Sequence, residues 1–282
     1  MTQTAPASSA VCRSHGKQSP VDIRPQDVDL SALPPLRFAH PTALDLELHF
    51  DDPDNHQPDN HRPDSHCPET RPDPHRPGSH QPETHRPETG LARTGRPDCV
   101  RDDEGTVKAV PPPGEECLVR VGADRYELVD VHWHTPSEHT VGGVAFPMEQ
   151  HMKYRRLPDG AGAAPVGEDS GFAVVGVLVH PGQANGSLDR LVTSARRSAE
   201  TWEVPGVELD ALLPSCTESY RYLGSTTVCP YTPGVRWILL THPVQASATA
   251  LAHYRKVFPR GNARAVQPLG DRRVAGDRHR WW

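Results

Sequence analysis

The chain has 282 residues, 35% of them hydrophobic, with a formal net charge of −6 and a pI near 6.3. That length allows one large domain or two small ones, and the acidic balance leaves no broad basic footprint for nucleic acid. No stretch approaches the ~20 apolar residues of a membrane span, and the start lacks a basic region followed by an apolar one.

Residues 1–14 are small and polar without periodicity and are expected to be a disordered tail ahead of a domain covering 15–282. Leu36-Arg37-Phe38 and then Leu44 to Phe50 (LDLELHF) follow, the latter alternating apolar and polar residues as a strand does. Residues 51–98 break that domain. They repeat a five-residue unit (NHQPD, NHRPD, SHCPE, then HRPGS, HQPET, HRPET) with proline in nearly every unit. Proline fixes φ and removes the backbone donor, and little apolar surface is present to offset ordering entropy. A disordered or polyproline-like insertion in a surface loop is expected. Its histidines, His56, His61, His66, His75, His80 and His85, allow weak exchangeable metal binding, and equally a drifting low-complexity expansion. The six cysteines are scattered without C-x-x-C spacing, so a cysteine metal site is not expected, and with no export signal visible reduced thiols and a cytoplasmic location are. A periplasmic or secreted location stays open if the true start lies elsewhere.

Ordinary sequence resumes with a strand at Thr106–Val110 and a hairpin from Val119–Val121 into Arg125–Val131. Then comes DVHWHTPSEHTVGGVAFPMEQHMKY, Asp130 to Tyr154. In a strand, side chains alternate faces, so His132 and His134 share a face, Trp133 takes the other, and Asp130 joins the histidines. A second extended run sets Glu149, His151 and Lys153 on one face. If the two runs pair, three imidazoles converge and leave a fourth position open, the arrangement of a catalytic zinc site. Asp130 and Glu149 each lie two residues before a histidine, placed to take the second ring N–H. Phe172–Val179 reads as a fully buried strand, Ser187–Ala199 as a helix, Leu209–Pro214 as a turn-like link, Val235–Leu240 as a buried strand and Ala248–Phe258 as a short helix. The C-terminal GDRHRWW carries two tryptophans able to cover a surface patch.

HWHTPSEHTVGGVAFPMEQH resembles the core signature of the α-class carbonic anhydrases. Three further stretches agree in order: Gly16 to Ile23 (GKQSPVDI), Tyr220 to Trp237 (YRYLGSTTVCPYTPGVRW) and Asn262 to Leu269 (NARAVQPL). The resemblance implies a mainly β domain on a central, mostly antiparallel sheet of about ten strands with short peripheral helices. It implies Zn2+ on His132, His134 and His151, and reversible hydration of CO2 to bicarbonate and a proton by zinc-bound hydroxide. Thr227 would orient that hydroxide and Glu138 would fix Thr227. Val174 and Trp237 would line the substrate pocket, and Asn262 and Arg264 would tie nearby loops to the core. CO2 and bicarbonate are the implied partners, with no nucleic acid or membrane; oligomeric state is left open.

Several positions depart from the family pattern. Lys153 stands where a small apolar residue is usual, and an ammonium there opposes the metal unless it snorkels to the mouth. Thr226 and Val228 flank Thr227 where Leu and Thr are usual. The proton-shuttling histidine falls near Gly105, and the aromatic N-terminal segment is missing. Cys12 could bridge to Cys229 in an oxidising compartment. Slow turnover is therefore expected. The alternative is a catalytically weak or inactive zinc-containing relative used as a binding module, and metal storage by the insertion is a third reading.

Overall fold

A computed structural model describes residues 17–52, 105–158 and 169–277. The tail, most of the repeat insertion and the final tryptophans lie outside the described residues. Among the described residues, thirteen strands form one sheet. Its main path runs Trp202–Val207, Leu44–Asp51, Thr106–Val110, Asp124–His134, Met148–Arg156, Phe172–Pro181, Pro233–Leu240, Ser219–Ser225, Ala275–Asp277 and Asp29–Ser31. Most neighbours are antiparallel; Phe172–Pro181 runs parallel to Pro233–Leu240 and to Val244–Ala246, and Ala275–Asp277 runs parallel to Asp29–Ser31. The mainly β, mostly antiparallel architecture read from the sequence is thus present, with more strands than expected because short edge strands are appended to the central path.

The strand alternation divides the sheet into two unlike faces. On one, Leu46, Leu48, Val107, Val131, Trp133, Met152 and Val175 pack under two short helices. Gly186–Ser194 contributes Leu188, Leu191 and Val192, and Ala248–Val257 contributes Ala250 and Tyr254 to the same core. Each helix has a side-chain N-cap: Asn185 accepts from the Leu188 N–H and Ser247 from the Ala250 N–H. The first helix ends at Ser194, short of the Ala199 expected. Ala195 is extended, and the Ser194 hydroxyl donates to the Leu191 carbonyl, a helix-end acceptor that a further turn would have used, while the Thr193 hydroxyl bonds back to the Asp189 carbonyl within the helix. Leu209–Leu212 is a turn of 3-10 helix.

The opposite face carries the histidines. The Asp124–His134 and Met148–Arg156 strands pair in a register that sets His132 opposite His151, His134 opposite Glu149 and Asp130 opposite Lys153. The row through His132 and His151 continues outward to Lys108 and His49 on one side and to Gly176 and Leu239 on the other. The row below it runs Asp130, Lys153, Val174, Trp237, Tyr222. One face of seven neighbouring strands therefore grades from charged groups at one edge to an apolar wall at the other, with the imidazoles between.

Candidate metal centre

Each of the three histidines commits one ring nitrogen to a fixed acceptor. His132 Nδ1 lies 2.6 Å from Asp130 Oδ1, His134 Nδ1 2.9 Å from the Asn262 carbonyl, and His151 Nε2 2.8 Å from Glu149 Oε1. Those bonds place the ring protons outward and leave His132 Nε2, His134 Nε2 and His151 Nδ1 with lone pairs. The free nitrogens converge: His151 Nδ1 is 3.3 Å from His132 Nε2, and one ligand atom from each ring falls within 4.8 Å of the others. His134 Nε2 is buried with no hydrogen-bond partner. Three convergent imidazole lone pairs, one orphaned in the interior, are what a divalent transition metal satisfies, so the residues fit zinc.

Electrostatics keep His132 and His151 in a form able to coordinate a metal. Burial lowers the pKa of His132 despite the opposing pull of Asp130, and burial pushes His151 down to about 4 against Glu149. Burial pushes the Asp130 and Glu149 carboxyls up, but the charges and hydrogen bonds of their histidines outweigh it and hold both low. Both imidazoles are accordingly neutral and both carboxylates ionised at neutral pH.

The sequence reading gave no role to His139, which is fully buried. Its ring nitrogens lie 2.7 Å from Glu149 Oε1 and 2.7 Å from the Tyr222 hydroxyl, and its backbone N–H donates to Glu149 Oε2. Tyr222 in turn donates to Ser19, part of the QSP stretch. Glu149 thus holds two histidines at once. Residues 19, 139, 149 and 222 meet only through sheet pairing; the one local hint was a second histidine beside Glu138.

Asn262 ties loops to the histidine strand. Its side chain accepts from the Thr135 N–H and donates to the carbonyls of Gly105 and Trp133. Gly261 makes room for this: at φ +85, a Cβ there would sit 2.8 Å from the Thr135 carbonyl oxygen. The Arg264 backbone N–H donates to Glu138 Oε1, and its guanidinium stacks over Tyr231 at 3.6 Å. Glu138 Oε2 is buried and lacks a hydrogen-bond partner, so the expected bond from the Thr227 hydroxyl is not formed; Thr227 itself is buried. The Thr226 hydroxyl donates to the Val228 carbonyl within the same loop, and both residues are half-buried. Val174 and Trp237 belong to an apolar cluster with Leu178, Val235 and Leu239, and the Trp237 ring centre lies 4.9 Å from that of His151.

Lys153 does not point at the imidazoles. Its ammonium sits 4.8 Å over the Phe172 ring. Lys153 lies opposite Val174, and Phe172 is two residues from Val174 on the side away from Gly176, the residue opposite His151. The side chain leans away from the histidine row, with its charge on an aromatic face.

Residues 115–277 match the model of the eukaryotic-type carbonic anhydrase family, more than half of the chain. The chain belongs to that family. The carbonic anhydrase of Pectobacterium carotovorum is 31% identical over 170 residues, 59% of this chain and 64% of that protein, and the carbonic anhydrase of Nostoc sp. is 30% identical over 172 residues, 60% of each. The chain spans less than two thirds of the length of these curated relatives. An α-carbonic anhydrase from Thermovibrio ammonificans, solved with sulfanilamide, superposes with a TM-score of 0.65 at 25% identity over 94% of this chain and 88% of its own. The Photobacterium profundum α-carbonic anhydrase superposes at 0.64 with 23% identity and supports the shared fold. No described helix is long and apolar enough to cross a membrane. Cys229 is disulfide-bonded, against the expectation of reduced thiols, while Cys117 and Cys216 are free; Cys12 lies outside the described residues.

Proposed function

We propose that this carbonic anhydrase family member hydrates CO2 reversibly, with Zn2+ held by His132, His134 and His151. The observation that carries the reading is the set of uncommitted ring nitrogens facing one another, each ring fixed from behind by a carboxylate or carbonyl. Zinc, when bound, lowers the pKa of a coordinated water to about 7 and so supplies hydroxide at neutral pH; carbonic anhydrase is itself the usual example of that figure. The protein's own contribution is positioning and desolvation. Asp130, the Asn262 carbonyl and Glu149 hold the rings, the last through its shared hold on His139. Val174 and Trp237 present an apolar wall beside the imidazoles, suited to a small nonpolar gas. The reading gives Glu138 Oε2, held from its other oxygen by Arg264, the role of acceptor for the Thr227 hydroxyl, which then presents its own oxygen to solvent.

The family's shuttle position falls near Gly105, where no histidine stands, so proton export passes to buffer or to a histidine of the insertion and turnover is slow. The Lys153 charge near the apolar wall and the Thr226 and Val228 exchanges act in the same direction. The Cys229 disulfide favours an oxidising compartment over the cytoplasmic expectation. Stopped-flow CO2 hydration on zinc-loaded protein tests the reading. Activity abolished by a sulfonamide and by chelation, and restored by zinc, is expected; folded, zinc-replete protein without inhibitable activity overturns it in favour of a non-catalytic zinc module.

A further inference from the structure

We propose a second divalent-metal site, formed by Cys216, Glu218 and His242 and suited to zinc. One ligand atom from each residue lies within 4.8 Å of the other two. The residues come from the two sides of one hairpin end. Ser219 pairs with Leu240, and the Thr241 N–H donates to the Glu218 carbonyl at 2.8 Å, so Glu218 and His242 sit on a continuing ladder, with Cys216 in the turn just before it. The Thr241 hydroxyl donates to the same carbonyl at 3.2 Å and lies 3.1 Å from His242 Nδ1. A hydroxyl has one proton to give; with it spent on Glu218, the oxygen accepts from Nδ1–H, leaving the Nε2 lone pair for a metal.

The donor set selects the cation. Sulfur, imidazole nitrogen and one carboxylate suit zinc or cobalt, while magnesium and calcium require oxygen shells. Cys216 is free and half-buried. Binding would release the thiol proton to solvent, and thiolate plus carboxylate then balance the +2 charge. The cluster is separate from the three-histidine centre. Leu239 shares the row of His151 two strands away, and His242 lies three residues further along, which places it roughly 14 Å from His151 at ordinary strand spacings. An ion there would clip the turn entering one strand to the turn leaving its partner.

Cobalt substitution tests this, because only a thiolate ligand gives a near-ultraviolet sulfur-to-cobalt charge-transfer band and the three-histidine centre has none. Metal-stripped full-length protein titrated with Co2+ is expected to develop that band, with Cys216→Ser removing most of its amplitude and His242→Ala weakening that binding at least tenfold. The visible cobalt bands of the histidine centre are expected to persist in both variants. In parallel, alkylation mapped by mass spectrometry reports the Cys216 thiol directly: zinc is expected to slow its modification about tenfold, and His242→Ala to remove that protection. A band unchanged in Cys216→Ser, or alkylation of Cys216 indifferent to zinc, overturns the proposal.

Discussion

The three imidazoles at the centre are held by three different acceptors, and the differences set how each responds to substitution. His134 leans on a backbone carbonyl that no side-chain change removes. His151 leans on Glu149, which also holds His139, so altering Glu149 disturbs two rings. His132 leans on Asp130 alone, at 2.6 Å, which makes Asp130 the cleanest place to measure what an outer carboxylate contributes. Asp130→Asn keeps shape and an acceptor oxygen but removes the charge that makes the imidazole a stronger base. Zinc affinity is expected to fall about tenfold or more, as measured by competition with a chromophoric chelator at fixed pH. Because Asp130 is also the strand partner of Lys153 and feels its charge, Asp130→Asn combined with Lys153→Ala separates the two charges: an affinity loss that vanishes in the double variant would assign the effect to Lys153 rather than to His132.

Among the elements, the Phe172–Pro181 strand shows how an apolar run can carry a functional constraint. Gly176 lies opposite His151, and a Cβ on it would meet Leu239 Cδ1 at 2.8 Å and Glu149 Oε1 at 3.1 Å. Gly176→Ala therefore presses on the carboxylate that orients His151. It is expected to cost about 1–3 kcal/mol of stability, seen in denaturant unfolding, and to weaken zinc binding in the same protein. A stability loss with unchanged zinc affinity would show that Leu239 alone yields. In the sequence Gly176 is one position of the continuous apolar run Phe172–Val179, with nothing local to mark it. By contrast, alternation alone placed Asp130, His132 and His134 on one face, and spacing suggested the second run, because both are local properties of a strand. His139, Tyr222, Ser19 and Gly176 were not legible as one network, because their proximity is created by pairing between strands distant in sequence. The end of the first helix is hidden for a related reason: its stripe of apolar residues continues into Ala195, but the Ser194 hydroxyl takes the Leu191 carbonyl that a further turn would need.

At the scale of the whole molecule, burial of neutral histidines makes the metal-free protein acid-labile. His151 accepts a proton only near pH 4 when folded but near 6.5 when unfolded, and burial lowers His132, His40 and His49 as well. The unfolded chain thus binds more protons across that window, so stability falls as pH drops from about 6.5 towards 4, on the order of a few kcal/mol for the fully buried rings. The depressed carboxyl of Glu149 extends the loss below pH 4.5, with the same sign. Denaturant titrations of metal-stripped protein check this; a flat profile between pH 7 and 4.5 would contradict it. The long insertion is a separate question of chain connectivity. Asp51 pairs with Thr106, so the 52–105 segment joins two residues already adjacent in a ladder, a span that a hairpin closes with two to five residues. Linking Asp52 to Gly105 through two residues leaves every described pairing in place and shortens the loop from about 54 residues to about 4, a gain of about 2 kcal/mol in closure entropy. The shortened protein is expected to melt several degrees higher and to keep its CO2 hydration within a few-fold. It is also expected to lose any weak zinc equivalents beyond those of the folded domain, since His56, His61, His66, His75, His80 and His85 leave with the segment. A shortened chain that folds but loses activity tenfold or more would show that the repeat serves the site, and its histidines would then be the groups to examine as proton carriers.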